Sequence, residues 1–233
     1  MENLILDPLN DGKSRIELID SMGNDLSVVN DARASFNRVS NKLNEKDIKL
    51  INYLIKHKHT SPLRGVAFKF KVKCPLYICR QWWKHILASN HNTEQIGWNE
   101  KSLRYVEIND VGDFYIPSEF RLQSVNNKQA TEGLLNELYN IEAIEAYTKQ
   151  CVSSFQTYQH LLNLGVGREQ ARGVLVPAVY TNFVWTCSLQ TVLHFIDLRK
   201  DKGAQTEISR YANSVEKLIE NIVPKTIKSW KNK

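Results

Sequence analysis

Along the first third of the chain, apolar and polar residues fall into patterns of two periods. Ser14–Gly23, SRIELIDSMG, reads as a strand that stops at Gly23, and NDLSVVNDARASF follows as a helix with Asn24 or Asp25 placed to cap its first turn. In NEKDIKLINYLIKH, residues Ile48, Ile51, Leu54 and Ile55 share one helical face. Pro62 interrupts the chain. Val66, Phe68, Phe70 and Val72 then alternate with Lys69, Lys71 and Lys73, the pattern of a half-buried strand with a basic outer face that ends at Pro75. LYICRQWWKHILA is expected to be helical, Ser89–Asn99 to be a polar loop, and SLRYVEI to return to strand. From Lys128 to Leu164, apolar residues recur at Leu134, Leu138, Ile141, Ile144, Tyr147, Cys151, Phe155 and Tyr158, which predicts one long amphipathic helix. The residues after Gly167 predict further helices. The expected fold class is α+β, a single domain over residues 1–233 with a mixed sheet flanked by long helices, since no linker or low-complexity tract marks a boundary.

Composition narrows the function classes. At 233 residues and 42% hydrophobic content the chain can bury a sizeable core. Its four cysteines, Cys74, Cys79, Cys151 and Cys187, lack both CxxC spacing and the density of a disulfide framework, and no apolar signal segment precedes them. A reduced, cytoplasmic location is expected. No apolar run reaches the roughly 20 residues of a membrane span, so no membrane partner is expected. The net charge of +6 favours anionic partners, either nucleic acid or small phosphorylated ligands.

The segment Cys79–Ile108, CRQWWKHILASNHNTEQIGWNEKSLRYVEI, concentrates the candidate chemistry. It sets Trp82 and Trp83 among Arg80, Lys84, Lys101 and Arg104, a mixture suited to stacking flat rings and holding phosphates, although the tryptophans are expected to pack the helix into the core rather than to touch ligand. His57 and His59 in HKHTS point apart at i and i+2 and have no HExxH or CxxC partner, so no metal site is expected. No G-x-S-x-G elbow occurs, and Cys74 before Pro75 reads as a buried structural thiol. Arg104, Arg172 and Arg199 each lie among apolar neighbours, where an unpaired charge is expensive. Ion pairs with Glu100, Glu169 or Asp197 explain any one of them. A shared anion explains all three, because a guanidinium donates two parallel bonds to phosphate oxygens or to the imide edge of a pyrimidine.

These segments, in this order, resemble the flavin-dependent thymidylate synthases: MGNDLSVVNDARASF, LIKHKHTSPLRGVAFKFKVKCPLYICRQWWKH, NEKSLRY, FYIP, REQARGVLVP, YTNFVWT and LHFIDLRKDKGAQTEI. The family's signature runs R-H-R, a short spacer, then S-x-R-Y. Here Lys84, His85 and Ile86 stand in place of R-H-R, extra residues within Ser89–Trp98 lengthen the spacer, and Ser188 and Gln190 occupy positions that are often Asn and Arg. The resemblance implies that Gln81, Lys84, Glu100, Lys101, Ser102, Leu103, Arg104, Arg172 and Arg199 hold dUMP. It implies that Ser35, His59, Lys84, His85, Ile86, Glu100, Ser188, Gln190 and His194 border FAD. It further implies reductive methylation of dUMP to dTMP with methylenetetrahydrofolate and NADPH as co-substrates, in a homotetramer whose sites draw on several subunits. Arg199 is then the catalytic residue, since a guanidinium can stabilise a uracil ring ionised at N3, which removes the need for an attacking cysteine. Two alternatives stand beside this expectation: a related enzyme that hydroxymethylates dUMP, and a nucleic-acid-binding protein drawing on Lys69, Lys71, Lys73 and the tail PKTIKSWKNK.

Overall fold

The computed structural model describes residues 4–87 and 97–233, and the side chains of residues 86 and 87 lie outside that description. Seven strands and eight helices occur among the described residues: β1 (Ile5–Leu6), β2 (Arg15–Met22), α1 (Asp25–Arg33), α2 (Glu45–Lys56), β3 (Ala67–Pro75), α3 (Leu76–Leu87), β4 (Gly97–Glu100), β5 (Arg121–Gln123), β6 (Thr131–Leu134), α4 (Glu137–Asn163), α5 (Arg168–Ala171), β7 (Tyr180–Ser188), α6 (Leu189–Arg199), α7 (Thr206–Ile219) and α8 (Pro224–Lys231). Five strands form one sheet in the order β1-β2-β3-β7-β4, and β5 and β6 form a separate hairpin. The fold is α+β, as expected, but every pairing in the main sheet is antiparallel, so it is not mixed. Parallel strands need both faces covered, whereas an antiparallel sheet can leave one face to water. Lys69 and Lys71 occupy that open face, directly across from Asp20 and Glu17 of β2. Opposite charges directly across a ladder favour the pairing of these two strands.

On the other face, Phe68, Phe70, Phe183, Trp185 and Ile16 are buried beneath α3, α6 and α7. Trp82 of α3 sits at the centre, its ring stacked at 4.5 Å on Phe195 and edge-on to Phe183, Trp185 and Tyr211. Complete burial of so large a ring makes it a principal anchor of α3, and truncation to alanine would cost about 3–5 kcal/mol. The expectation that the tryptophans pack rather than bind therefore holds for Trp82. Trp83 is 40% exposed and meets Trp98 edge-on. A second cluster gathers Ile108, Phe114, Cys151, Phe155 and Tyr158 between α4 and the segments before and after it.

The first third follows its pattern closely. Gly23, at φ +83°, turns β2 into α1, and Asn24 caps α1 by accepting from the backbone N–H groups of Leu26 and Ser27. Asn44 caps α2 in the same way. Gly65 permits close packing, because a Cβ there would lie 1.7 Å from Asp31 Oδ2. Asp25, 2% exposed, reaches the opposite end of the chain and caps α8. Its carboxylate accepts from Lys225 N (2.7 Å), Thr226 N (3.0 Å) and Thr226 Oγ1 (2.6 Å).

Four expectations are corrected. The polar loop at Ser89–Asn99 lies mostly outside the described residues, but its end, from Gly97, belongs to β4. SLRYVEI is not a strand: Ser102 O accepts from Tyr105 N (3.0 Å) and Val106 N (3.1 Å), and Ser102 Oγ accepts from Arg104 N, so the chain turns away once β4 ends at Glu100. Helix α4 starts at Glu137 rather than Lys128, because Asn136 caps it by accepting from Tyr139 N, and β6 precedes it. The residues after Gly167 are not all helical, since YTNFVWTCS forms β7, the strand that joins β3 to β4. A central strand flanked by apolar residues reads as a nearly continuous apolar run that periodicity cannot separate from a buried helix.

Candidate active site

Helices α3 and α6 lie together on the covered face of the sheet, and their facing turns build a partly buried polar group. Arg199, in the last turn of α6, donates from Nε to His85 Nε2 (2.9 Å) and from Nη2 to the backbone carbonyl of Gln81 (3.0 Å). The alternative, an ion pair with Asp197, is not formed. Asp197 instead accepts from Trp230 Nε1 (2.7 Å) and pairs with Lys233. Among the described residues, then, a part-buried guanidinium is held by neutral acceptors alone, with Nη1 unpartnered. Such a cation retains most of its capacity to attract an anion.

Burial first, then the charges of Arg199 and His194, push the His85 pKa down to about 3. The imidazole is neutral at physiological pH. Because Nε2 accepts from Arg199, the ring proton sits on Nδ1, and that atom is buried with no partner. Gln190 Oε1, on α6, is likewise buried and unpartnered. An orphaned donor and an orphaned acceptor on adjacent helices are costly unless a ligand answers them. His194 lies exposed with its ring 5.8 Å from that of His85, and Ser188 caps α6 by accepting from Thr191 N. Lys84 is exposed one residue before His85. Ile86 belongs to α3, but its side chain lies outside the described residues.

The other predicted residues form a second group. Glu100, at the end of β4, accepts from Thr181 Oγ1 (2.8 Å) and Trp98 Nε1 (3.2 Å), while Lys101 N donates to Asn182 O (2.8 Å). Arg104 faces Glu169 at 3.6 Å with both side chains exposed, and Arg172 Nε donates to Glu169 O (3.3 Å). Glu169 thus gathers two of the three candidate arginines, and Leu103 packs beside them on the Phe114–Tyr158 cluster. Ser35 and His59 stand apart. Ser35 donates to Ala32 O, His59 lies exposed against the Tyr53 ring, and neither bonds to the α3/α6 group. Sequence reasoning missed Gln205, whose Oε1 accepts from Gln81 Nε2 at 2.5 Å across 124 residues of chain. Among the described residues no cluster of His, Cys, Asp or Glu is arranged to hold a metal ion, and no helix is long and apolar enough to cross a membrane. All four cysteines are free and buried, and burial raises the thiol pKa of Cys74 and Cys151, which suits structural thiols rather than nucleophiles.

Comparison with known proteins identifies the family. Residues 17–225 match the family described as thymidylate synthase complementing protein. A relative from Thermosipho melanesiensis, named flavin-dependent thymidylate synthase, is 37% identical over 230 residues, 99% of this chain and 93% of its own. One of the same name from Thermus thermophilus is 40% identical over 225 residues, 96% of this chain and 77% of its own. In structure, the chain is similar to the UMP/dUMP methylase PolB from Streptomyces cacaoi bound with 5-Br UMP, with a TM-score of 0.79 and 26% identity over 93% of each chain. The chain belongs to the family of flavin-dependent thymidylate synthases.

Proposed function

We propose that this chain is a flavin-dependent thymidylate synthase that converts dUMP to dTMP, taking the methylene carbon from methylenetetrahydrofolate and reducing equivalents from NADPH. The observation that carries this reading is the α3/α6 group: a part-buried Arg199 without an anionic partner, beside two buried polar atoms that nothing in the described chain satisfies. The residues fit a flavin. His85 and Gln190, each with a buried polar atom that lacks a partner, would hold it together with Ser188, His194, Lys84 and Ile86, and Ser35, His59 and Glu100 would complete its border. When bound, FAD supplies hydride acceptance from NADPH and its onward delivery.

The chain's own residues have separate tasks. Arg199 holds its guanidinium against the pyrimidine and stabilises negative charge on a ring ionised at N3. Its Nε and Nη2 bonds to His85 and Gln81 fix the plane in which its remaining donors point. Gln81 and Lys84 line one side of the nucleotide. Arg104 and Arg172 hold its phosphate, Arg104 exchanging the exposed Glu169 carboxylate for a more strongly charged partner, with Glu100, Lys101, Ser102 and Leu103 forming the supporting turn. We place the second arginine group on a neighbouring copy in a homotetramer. The uncovered apolar residues Leu138, Tyr139 and Ile141 of α4 support such assembly, and the four free cysteines support a reducing cytoplasm.

The test is the visible spectrum of the purified protein before and after adding FAD, followed by mass analysis of the nucleotide product. A flavin band and a methyl increment on dUMP are expected. A hydroxymethyl increment would redirect the assignment to that related chemistry, and absence of FAD binding on titration would overturn the reading altogether.

A further inference from the structure

We propose that Gln205 is a positioning residue for the nucleotide site and acts through Gln81, an inference that rests on the reading of Gln81 as a dUMP contact. Gln81 is gripped from both sides by one short stretch of chain. Arg199, which opens that stretch, donates to its backbone carbonyl, and Gln205, six residues further on, accepts from its side-chain Nε2. The second bond engages one of the two N–H donors of the Gln81 amide and fixes which way the amide faces. Gln81 therefore meets the nucleotide with its Oε1 and second N–H held in one orientation, beside the Arg199 guanidinium.

The stretch that carries Gln205 is itself fixed. Asp201 Oδ1 accepts from Gly203 N (2.8 Å) and Asp201 O from Ala204 N (2.9 Å), which closes the turn between α6 and α7. Two residues beyond Gln205, the buried Glu207 faces Arg121 of the β5–β6 hairpin at 3.5 Å. Gln205 also lines a cavity of about 400 Å³ walled by Tyr77, Phe120 and Tyr147. No side-chain bond of Gln205 caps α7 itself, so the pairing with Gln81 is its sole side-chain hydrogen bond among the described residues.

The experiment measures dUMP affinity of the FAD-loaded, full-length protein for the wild type, Gln81→Ala, Gln205→Leu and the double variant, together with steady-state KM and kcat. Gln205→Leu should weaken dUMP binding on the order of 5-fold, the loss associated with one neutral hydrogen bond. That loss should fall on KM rather than kcat and leave thermal stability and flavin absorbance unmoved. In the Gln81→Ala background the same substitution should add nothing, because its only route of action has been removed. Equal losses in both backgrounds, or no loss in Gln205→Leu when Gln81→Ala weakens binding, would overturn the proposal. Unchanged affinity in Gln81→Ala would instead overturn the placement of Gln81 at the nucleotide, and this inference with it.

Discussion

The buried, neutral His85 makes folding stability depend on pH in a way that can be worked out in advance. Its pKa falls from the ordinary 6.5 to about 3 in the folded chain, with burial as the main cause and the Arg199 and His194 charges behind it. As pH drops below 6.5, the unfolded chain takes up the proton while the folded chain still refuses it. Stability from this residue is therefore complete above pH 6.5 and is lost progressively down to pH 3. Between about pH 7.5 and about pH 5 the linkage relation gives a loss of about 2 kcal/mol from this one site. The perturbation that isolates it is His85→Gln, whose amide oxygen can accept the Arg199 bond but which does not titrate. Urea unfolding followed by tryptophan fluorescence, with buried Trp82 and Trp185 as reporters, measures both proteins across the range. The wild type should lose about 2 kcal/mol of its advantage over His85→Gln as pH falls to about 5. A difference between the two proteins that stays constant with pH would refute the burial of a neutral imidazole at this position.

Arg199→Ala should abolish turnover. It should also cost about 2–4 kcal/mol in stability, since two acceptors lose a charged donor; Arg199→Lys should restore little activity in the same assay, because an ammonium lacks the planar fork. Arg104→Ala and Arg172→Ala should each shift the unfolding free energy by less than about 1 kcal/mol, as expected of exposed contacts, yet weaken dUMP binding at least about tenfold by calorimetry, the cost of one charge-assisted bond. Asp25→Ala should lower the unfolding free energy by about 3 kcal/mol in urea titration with no effect on dUMP affinity, because it leaves three donors at the start of α8 without their acceptor.

What could be read in advance was whatever local chemistry decides. Asn24 and Asn44 announced α1 and α2 because capping depends on a side chain and the three residues after it. The strand at Val66–Pro75 was legible because one face is wet and the other dry. β7 was not recognised, although its Phe183, Trp185 and Cys187 alternate with Asn182, Val184 and Thr186, because the apolar helix that follows extends the run and hides the period. SLRYVEI misled for the opposite reason: its alternation is real, but the edge of the sheet has already ended at Glu100, and Tyr105 is 76% exposed. Arg199, His85 and Gln81 are candidates through family resemblance. Their mutual contacts were not legible in the sequence, since they join residues 114 and 118 apart in the chain. Gln205 carried no signal of its own; only the fold, which brings the start of α7 to the side of α3, singles it out.

The clasp between Asp25 and the start of α8 also bears on how the protein is made. Its partners lie 200 and 201 residues downstream, so the carboxylate that α1 commits to the interior has no donors until residues 225 and 226 have left the ribosome. Loop closure over that length is slow to be rewarded, which makes docking of the last helix a late event in folding. A chain interrupted before Pro224 would carry a capped α1 and the antiparallel strands β2 and β3 beside a carboxylate that lacks its three donors.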